Sequence, residues 1–333
     1  MVATIRDVAE LSGTSRSTVS RVMNGKLRVN PEVREHVLAA VKELGYRPNK
    51  VARSLRTQAS RVLALVVSDI SNPFFGSVIR GVEDVAGSAD YLVVLFNSDE
   101  DVERERRYLS IIVAERMAGV IISPTSERKT DLSLLVDNGI PIVTVDRLAK
   151  TSGTDTVRSD NVEGARLATA HLLDQGYRRI GYVGGPAAAT TSRERLVGYK
   201  AALRQARVRF ERRLLSAGDF KEESGHVVMT KLLEAQPDAV LVANHTMAIG
   251  ALRSLREAGL RYPDDLGFVS FDDPPWASLT HPSLTVIAQR DLEIGRQAAH
   301  LLKQRILEPD RPAVRAILQP ELRVRESSLR PVP

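Results

Sequence analysis

The stretch TIRDVAELSGTSRSTVSRVMNG, residues 4–25, decides how the first part of the chain is read. Thr4 suits the N-cap of a helix, and Asp7 three positions later completes a capping box. Ile5, Val8, Ala9 and Leu11/Ser12 then recur at the spacing of one helical face, until Gly13 breaks it. A second helix is predicted from about Ser15 to Met23, with Val19 and Val22 inward and Arg16, Ser17 and Arg21 outward, and Asn24-Gly25 stops it. Further on, Asn30-Pro31 supplies an N-cap and a proline at the first helical position. The helix it starts turns Val33, Val37, Ala40, Val41 and Leu44 inward as far as Gly45. Two short helices joined by a glycine-containing turn describe a helix-turn-helix, whose second helix presents its N-terminal residues to base edges in the major groove. Arg16 stands at that place and can donate two hydrogen bonds to guanine O6 and N7; Ser17 beside it suits several bases. The same pattern also admits a generic three-helix bundle with surface arginines.

Charge bears on the choice. Of a net +6 over 333 residues, residues 1–61 carry 12 Lys/Arg against 5 Asp/Glu, and residues 62–333 carry 35 against 36. The whole excess therefore sits beside the three helices. A basic segment on a neutral body is the electrostatic footprint of a polyanion-binding module, although a solvated basic face would give the same numbers.

The length exceeds one typical domain and predicts a small domain plus a large or bilobed one. With no cysteine, disulfides and thiolate metal sites are excluded, which suits a reducing compartment. The opening MVATIRDVAE is too charged for a secretory signal, and the apolar run RVLALVVSDI stops at Ser68 and Asp69, far short of a membrane span. A cytoplasmic protein with no membrane contact is expected.

From residue 62 onward the apolar runs VLALVV, YLVVLF, GVII, IPIVTV, IGYVG, AVLVA and LGFVSF alternate with helical patterns. Repeated β-α units imply parallel sheets with right-handed crossovers, and ligands in such folds gather outside the carboxyl ends of the strands. The polar residues at those ends are Asp69 and Asn72, Asn97 to Asp99, Ser123, Asp146 and Arg147, Asn244, and Asp272 and Asp273. Uncharged donors and acceptors mixed with carboxylates and arginines suit a polyhydroxylated ligand, since each hydroxyl both gives and accepts hydrogen bonds. Any one of these residues alone would mark only a strand-end turn.

Catalytic signatures are not found. IGYVGGP has neither the spacing of a dinucleotide-binding turn nor a downstream acid in place, and the sequence shows no P-loop, no G-x-S-x-G elbow and no H-E-x-x-H helix. No enzyme activity, cofactor, catalytic residue or metal ligand is expected. A secreted sugar-binding transport protein would share the α/β body, but it needs an export signal and has no use for a basic helix-turn-helix.

The stretch quoted above, followed by VNPEVREHVLAAVKELGYRPNKVARSLR, closely resembles the lactose/galactose repressor family over about 55 residues. The body resembles that family's sensor through SDISNPFFGSVIRGVE, GVIISP, IPIVTVDR, IGYVGGP, RLVGYKAAL, VANHTMAIGALRSLREAG and FVSFDDPPWA. The resemblance implies an N-terminal all-α helix-turn-helix domain over residues 1–47, a hinge helix and linker over 48–60, and a sensor over 61–333. The sensor is expected to be α/β and periplasmic-binding-protein-like (type I), with two doubly wound parallel-sheet lobes. Lobe one is expected at about 61–158 plus 289–320 and lobe two at about 159–288.

In the family's pattern Arg16, Ser17 and Arg21 read the groove with Ser15 beside them, while Thr18, Asn24, Tyr46 and Asn49 position the DNA backbone. Ala52 and Leu55 match hinge residues that enter the minor groove, leucine as a wedge that kinks the duplex. The plainer reading of that segment is a linker in which Val51 and Leu55 pack on the neighbouring domains. Asp69, Asn72, Phe74, Phe75, Ser123, Asp146, Arg147, Arg195, Phe220, Asn244 and Asp272 are the implied ligand-cleft residues. One departure stands out: the family commonly has Asn-Asp where this chain has Asn244-His245; a lone histidine is more often structural than functional, but at a cleft rim it would favour an acidic ligand. The resemblance thus implies a ligand-controlled repressor acting as a homodimer on pseudo-palindromic operator DNA. Its effector would be a sugar or sugar derivative or, alternatively, a nucleoside, purine or sugar acid acting as co-repressor. The tail RVRESSLRP carries no leucine heptad, so a coiled-coil tetramer is not expected.

Overall fold

Residues 3–23, 29–46, 60–151 and 153–330 are described in the computed structural model of the chain. They fall into two units, residues 1–60 and residues 61–333.

The first unit holds α1 (Ile5–Leu11), α2 (Arg16–Met23) and α3 (Pro31–Glu43). Each start is the one its sequence dictates. The Thr4 amide donates to Asp7 Oδ2 at 2.7 Å while the Asp7 amide donates to Thr4 Oγ1, closing the capping box. Asn30 accepts from the Glu32 amide at 3.0 Å, with Pro31 opening α3. Val8, Ala9, Val19, Val22, Val37 and Ala40 form the buried core, ringed by half-buried Ile5, Met23, Val29, Val41, Leu44 and Tyr46. With nothing larger than valine at its centre, this core leaves the three helices close together and their long polar side chains outside. Asn24, Asn49, Ala52 and Leu55 lie outside the described residues.

The second unit contains two six-stranded sheets, with strands numbered along the chain. The first joins β1 (Val62–Val67), β2 (Leu92–Asn97), β3 (Gly119–Ile122), β4 (Ile142–Val145), β5 (Asp155–Ser159) and β11 (Arg315–Leu318), all parallel, in the order β11-β5-β4-β3-β1-β2. The second joins β6 (Ile180–Gly184), β7 (Leu215–Ala217), β8 (Ala239–Val242), β9 (Gly267–Phe271), β10 (Thr285–Ala288) and β12 (Glu321–Arg323), in the order β12-β10-β9-β8-β6-β7, with only β12 antiparallel. Helices α4 (Pro73–Ser88), α5 (Val102–Ala114) and α6 (Ser133–Asp137) belong to the first lobe. Helices α7 (Asn161–Asp174), α8 (Thr190–Gln205), α9 (Glu222–Leu233) and α10 (His245–Glu257) belong to the second. Helix α11 (Asp291–Leu307) returns to pack on α4, where Gly81 and Gly295 bring the two backbones together. A Cβ at Gly81 would stand 2.2 Å from Leu292 O. Among the described residues no helix is long and apolar enough to cross a membrane.

The chain crosses between the lobes three times: after β5 at Asp160, after β10 at Gln289 and Arg290, and after β11 at Gln319 and Pro320. The last crossing carries the tail back into lobe two. There β12 pairs with β10, Ser327 Oγ donates to Phe268 O at 2.6 Å, and Arg325 pairs with Asp273 at 2.8 Å. The expected span of 159–288 for lobe two omits these residues, because three-residue ELR and the short polar segment after it carry no periodicity. Strands β5, β7, β10 and β11 also fall outside the seven apolar runs. DTVRS, LSA and RAIL are too polar or too short, and TVIA is only four residues long.

Candidate DNA-reading helix and ligand cleft

In the small unit Gly13 adopts a left-handed φ of 62°, which lets the chain reverse between α1 and α2. Ser15 then caps α2: its Oγ accepts from the Thr18 amide at 3.1 Å and shares a hydrogen bond with Thr18 Oγ1 at 2.9 Å. The cap engages Ser15 and Thr18 and leaves Arg16 as the first residue of the helix. Val19 and Val22 are buried, so the opposite face is fixed: Arg16, Ser17 and Arg21 are all exposed. Tyr46 leans on the three-helix core, its amide held by Val41 O at 3.0 Å. The described part of the unit therefore presents one guanidinium-and-hydroxyl surface at the start of its second helix, the geometry needed to enter a major groove.

In the large unit the strand-end residues converge. Asp69, Asn72, Phe74, Phe75, Asp146, Arg147, Arg195, Phe220, Asn244 and Asp272 line one cavity between the lobes, joined by Glu100, Thr191 and Gln289, which the sequence reading did not single out. Four of the lining residues have left-handed backbones: Glu100 at φ 60°, Asp146 at 62°, Phe220 at 72° and Asp272 at 70°. An L-residue rarely adopts that conformation. Here it turns the side chain after a strand out of the sheet's alternation and into the crevice.

The cavity's polar groups are held in place by one another. Arg147 makes a two-pronged pair with Glu100, both bonds at 2.7 Å, and lies 5.3 Å from the centre of the Phe220 ring. Arg195 donates to Asn161 Oδ1 at 2.8 Å and to Ala243 O, and stacks 4.0 Å over Phe271. Asn244 caps α10 by accepting from the Met247 amide at 2.9 Å and donates to Phe220 O at 3.2 Å. Asn72 caps α4 through the Phe74 amide at 2.9 Å, and the Phe74 and Phe75 rings meet edge to face at 5.1 Å. Asp272 receives Gln289 Nε2 at 2.7 Å and shares a hydrogen bond with His245 Nδ1 at 3.1 Å.

The two deepest carboxyls titrate differently. Burial pushes Asp146 up to about 6, aided by nearby Asp272 and Glu100 and only partly opposed by Arg147 and Arg195. Burial acts on Asp272 in the same direction, but the bond from His245, the Arg195 charge and Gln289 outweigh it and hold Asp272 below the ordinary carboxylate range.

Ser123 is the one expected cleft residue that does not reach the cavity wall. It is buried behind β3, and its Oγ has no hydrogen-bond partner among the described residues. His245 takes the structural one of the two roles open to it: it is 2% exposed and opens α10 pressed against Asp272, so it orients a cleft carboxylate.

Comparison with known proteins fits both units. The profile of bacterial regulatory proteins of the lacI family matches residues 4–49, and that of the periplasmic binding protein-like domain matches residues 169–328. The ribose operon repressor of Halalkalibacterium halodurans is 37% identical over 98% of this chain and 97% of its own. This chain belongs to the lacI family of bacterial regulatory proteins. Among solved structures, the transcriptional regulator CelR in complex with cellobiose is 34% identical, with a TM-score of 0.75 over 98% of this chain and 99% of that one. The lac repressor dimer bound to operator and the anti-inducer ONPF is 27% identical, with a TM-score of 0.88 over 99% of this chain and 100% of that one. A lacI-family chain with this helix-turn-helix and this two-lobed body is a DNA-binding transcription regulator and not an enzyme.

Of the residues missed from sequence, Gln289 follows β10, a strand too short to be seen, and Glu100 lies one residue past the Asn97–Asp99 turn. Thr191 sits in the first turn of α8, which no strand-end rule selects.

Proposed function

We propose that this chain is a repressor whose affinity for a pseudo-palindromic operator is set by a neutral, polyhydroxylated ligand held between the lobes. The observation that carries the ligand class is the state of charge in the cavity. Its wall holds four carboxylates, Asp69, Glu100, Asp146 and Asp272, against two guanidiniums. Both guanidiniums are paired, Arg147 by Glu100, which leaves only its buried Nε without a hydrogen-bond partner among the described residues, and Arg195 by Asn161 and a backbone carbonyl. Even with Lys221 paired to Asp69 the carboxylates outnumber the cations, so a sugar acid or sugar phosphate would meet net negative charge, whereas hydroxyls can donate to the carboxylates while apolar ring faces meet Phe74, Phe75 and Phe220. Since a relative at 37% identity is named a ribose operon repressor, ribose is the first ligand to test.

The DNA contacts in this reading are Arg16, Ser17 and Arg21 to bases, with Ser15, Thr18, Asn24, Tyr46 and Asn49 toward the backbone and Ala52 and Leu55 in the minor groove. A second copy of the chain supplies the other half-site. The solved relative bound to operator is a dimer, and on lobe two Ile249, Leu252, Tyr262 and Trp276 border an apolar groove suited to a partner, with Ile249 exposed. The protein acts in the cytoplasm, where operator DNA is found.

Isothermal titration of the whole protein with ribose, ribose 5-phosphate and glucuronate tests the ligand class. Ribose is expected to bind and the two anions to bind at least tenfold more weakly; tighter binding of either anion refutes the charge argument. Anisotropy on an operator selected from a random pool, with and without the bound sugar, then gives the sign of the response.

A further inference from the structure

The lobes are joined at one side only. All three crossings leave from β5, β10 and β11, next to the β11 and β12 edges of the two sheets, while β2 and β7 form the opposite edges. Asp99 follows β2 and Lys221 follows β7, so both stand at the side farthest from the crossings. Across that side Lys221 Nζ donates to Asp99 Oδ1 at 2.6 Å and to Asp69 Oδ2 at 2.8 Å. The Asp69 side chain is 8% exposed and is fixed from within its own lobe by the Ser71 amide at 2.9 Å and Ser71 Oγ at 2.6 Å. Burial pushes the Asp69 carboxyl up, but the bonds from Lys221 and Ser71 outweigh it and hold it below its ordinary value. Arg104, 3.6 Å from Asp99, is a further cation at this edge.

Two other ion pairs join the lobes, Arg158 with Glu194 and Arg193 with Glu127, but Arg158 lies in β5 and Glu127 follows β3, nearer the crossings. A bond at the far edge works on the longest lever arm against opening. Behind it lies the cavity, walled by side chains of both lobes, so parting the lobes at this edge widens the way in.

We propose that Lys221 is a clasp that holds the cleft shut, so that opening it to admit or release a ligand requires its ammonium to leave Asp69 and Asp99. Asp69 also lines the cavity, so ligand and clasp draw on the same carboxylate and occupancy is coupled to closure. Opening returns all three charges to water, which makes the clasp a releasable bias and not a permanent lock. The clasp goes beyond the ligand reading and does not depend on which sugar binds.

The test needs no ligand. The chain has no cysteine, so cysteines in place of exposed Arg107 on α5 and Lys231 on α9 place one spin label on each lobe of the full-length protein. Dipolar spectroscopy of the otherwise unaltered protein is expected to give a narrow, short distance distribution. Lys221→Met should lengthen it and raise the open population about tenfold, the loss expected for hydrogen bonds to charged groups. Lys221→Arg should retain the short distance, and Asp99→Asn, which spares buried Asp69, should shift it in the same direction by less. Salt at 1 M, where the Debye length is about 3 Å, should open the parent more than Lys221→Met, in which only the two other pairs are left to screen. A wild-type distribution in Lys221→Met, folded by its circular dichroism melt, overturns the proposal. If that variant does not fold, a wild-type distribution in Asp99→Asn does so. Failure of ribose to bind would leave these distances unaffected and bears only on the ligand.

Discussion

Replacing Asp146 by asparagine should make the unliganded protein more stable and its ligand site worse. Asp146 titrates near 6 in the fold against 3.8 for an ordinary aspartate, chiefly because it is buried. Each unit of pKa difference corresponds to about 1.4 kcal/mol, so the ionised carboxylate costs the folded state at most about 3 kcal/mol. The pKa is raised, so the folded protein holds this proton more tightly than the unfolded chain does. Stability is therefore favoured in acid and falls as pH rises from about 4, where the unfolded chain ionises, to about 6, above which the whole cost is present. Asparagine cannot ionise. Urea denaturation of the two proteins at matched pH should give coincident curves near pH 4, with the variant pulling ahead through pH 6 and the gap level above it. Because each comparison is made at one pH, titrating groups that do not interact with Asp146 cancel. The variant should also lose a charged acceptor for a ligand hydroxyl, about 1.5–3 kcal/mol or roughly 10- to 100-fold in Kd. A gap that does not change between pH 4 and pH 8, or one of opposite sign, would refute the assignment of the raised pKa to burial without sufficient compensation.

Further outcomes can be checked in the same way. Arg16→Ala should relax base preference at one position per half-site by about 1–3 kcal/mol, read by selection from a random duplex pool; an equally sharp motif at every position removes Arg16 from the base contacts. Asp272→Ala should still bind operator but lose its response to ligand, because it removes a contact that differs between states; an unchanged titration of the operator complex excludes Asp272 from the site. Asp155, fully buried and bonded to Arg305, Arg311 and the Val314 amide, ties the last segment of the chain to lobe one. Asp155→Ala leaves two guanidiniums without their carboxylate and should cost about 3–5 kcal/mol in urea denaturation; a loss below 1 kcal/mol contradicts that role. Gly81→Ala should destabilise by about 1–3 kcal/mol, since its Cβ meets the Leu292 carbonyl, with a thermal melt as the readout.

The sequence by itself determined the small unit almost completely, because every decision there is local. The Thr4–Asp7 capping box, the Gly13 turn, the Asn30-Pro31 start and the period of the valines each involve residues within one or two helical turns, and together they leave Arg16, Ser17 and Arg21 no face but the outer one. It also gave the α/β alternation; the rule that ligands sit at strand ends picked out six of the residues that line the cavity, and the family resemblance added Phe74, Phe75, Arg195 and Phe220. What only the tertiary structure decided depends on contacts between segments far apart in the chain. Strand β12 is recognisable as a strand only because β10 lies beside it, and Gln289 belongs to the cleft only because β10 ends there. From the sequence His245 could be structural or a group at the cleft rim, and only packing, which buries it against Asp272, 27 residues away, decides. Lys221 and Asp69 are 152 residues apart, and their charges become a single interaction only when two lobes, each folded on its own sheet, close on one another. Periodicity and capping report the neighbours a residue has along the chain, while burial, pKa and ion pairing report the neighbours it has in space.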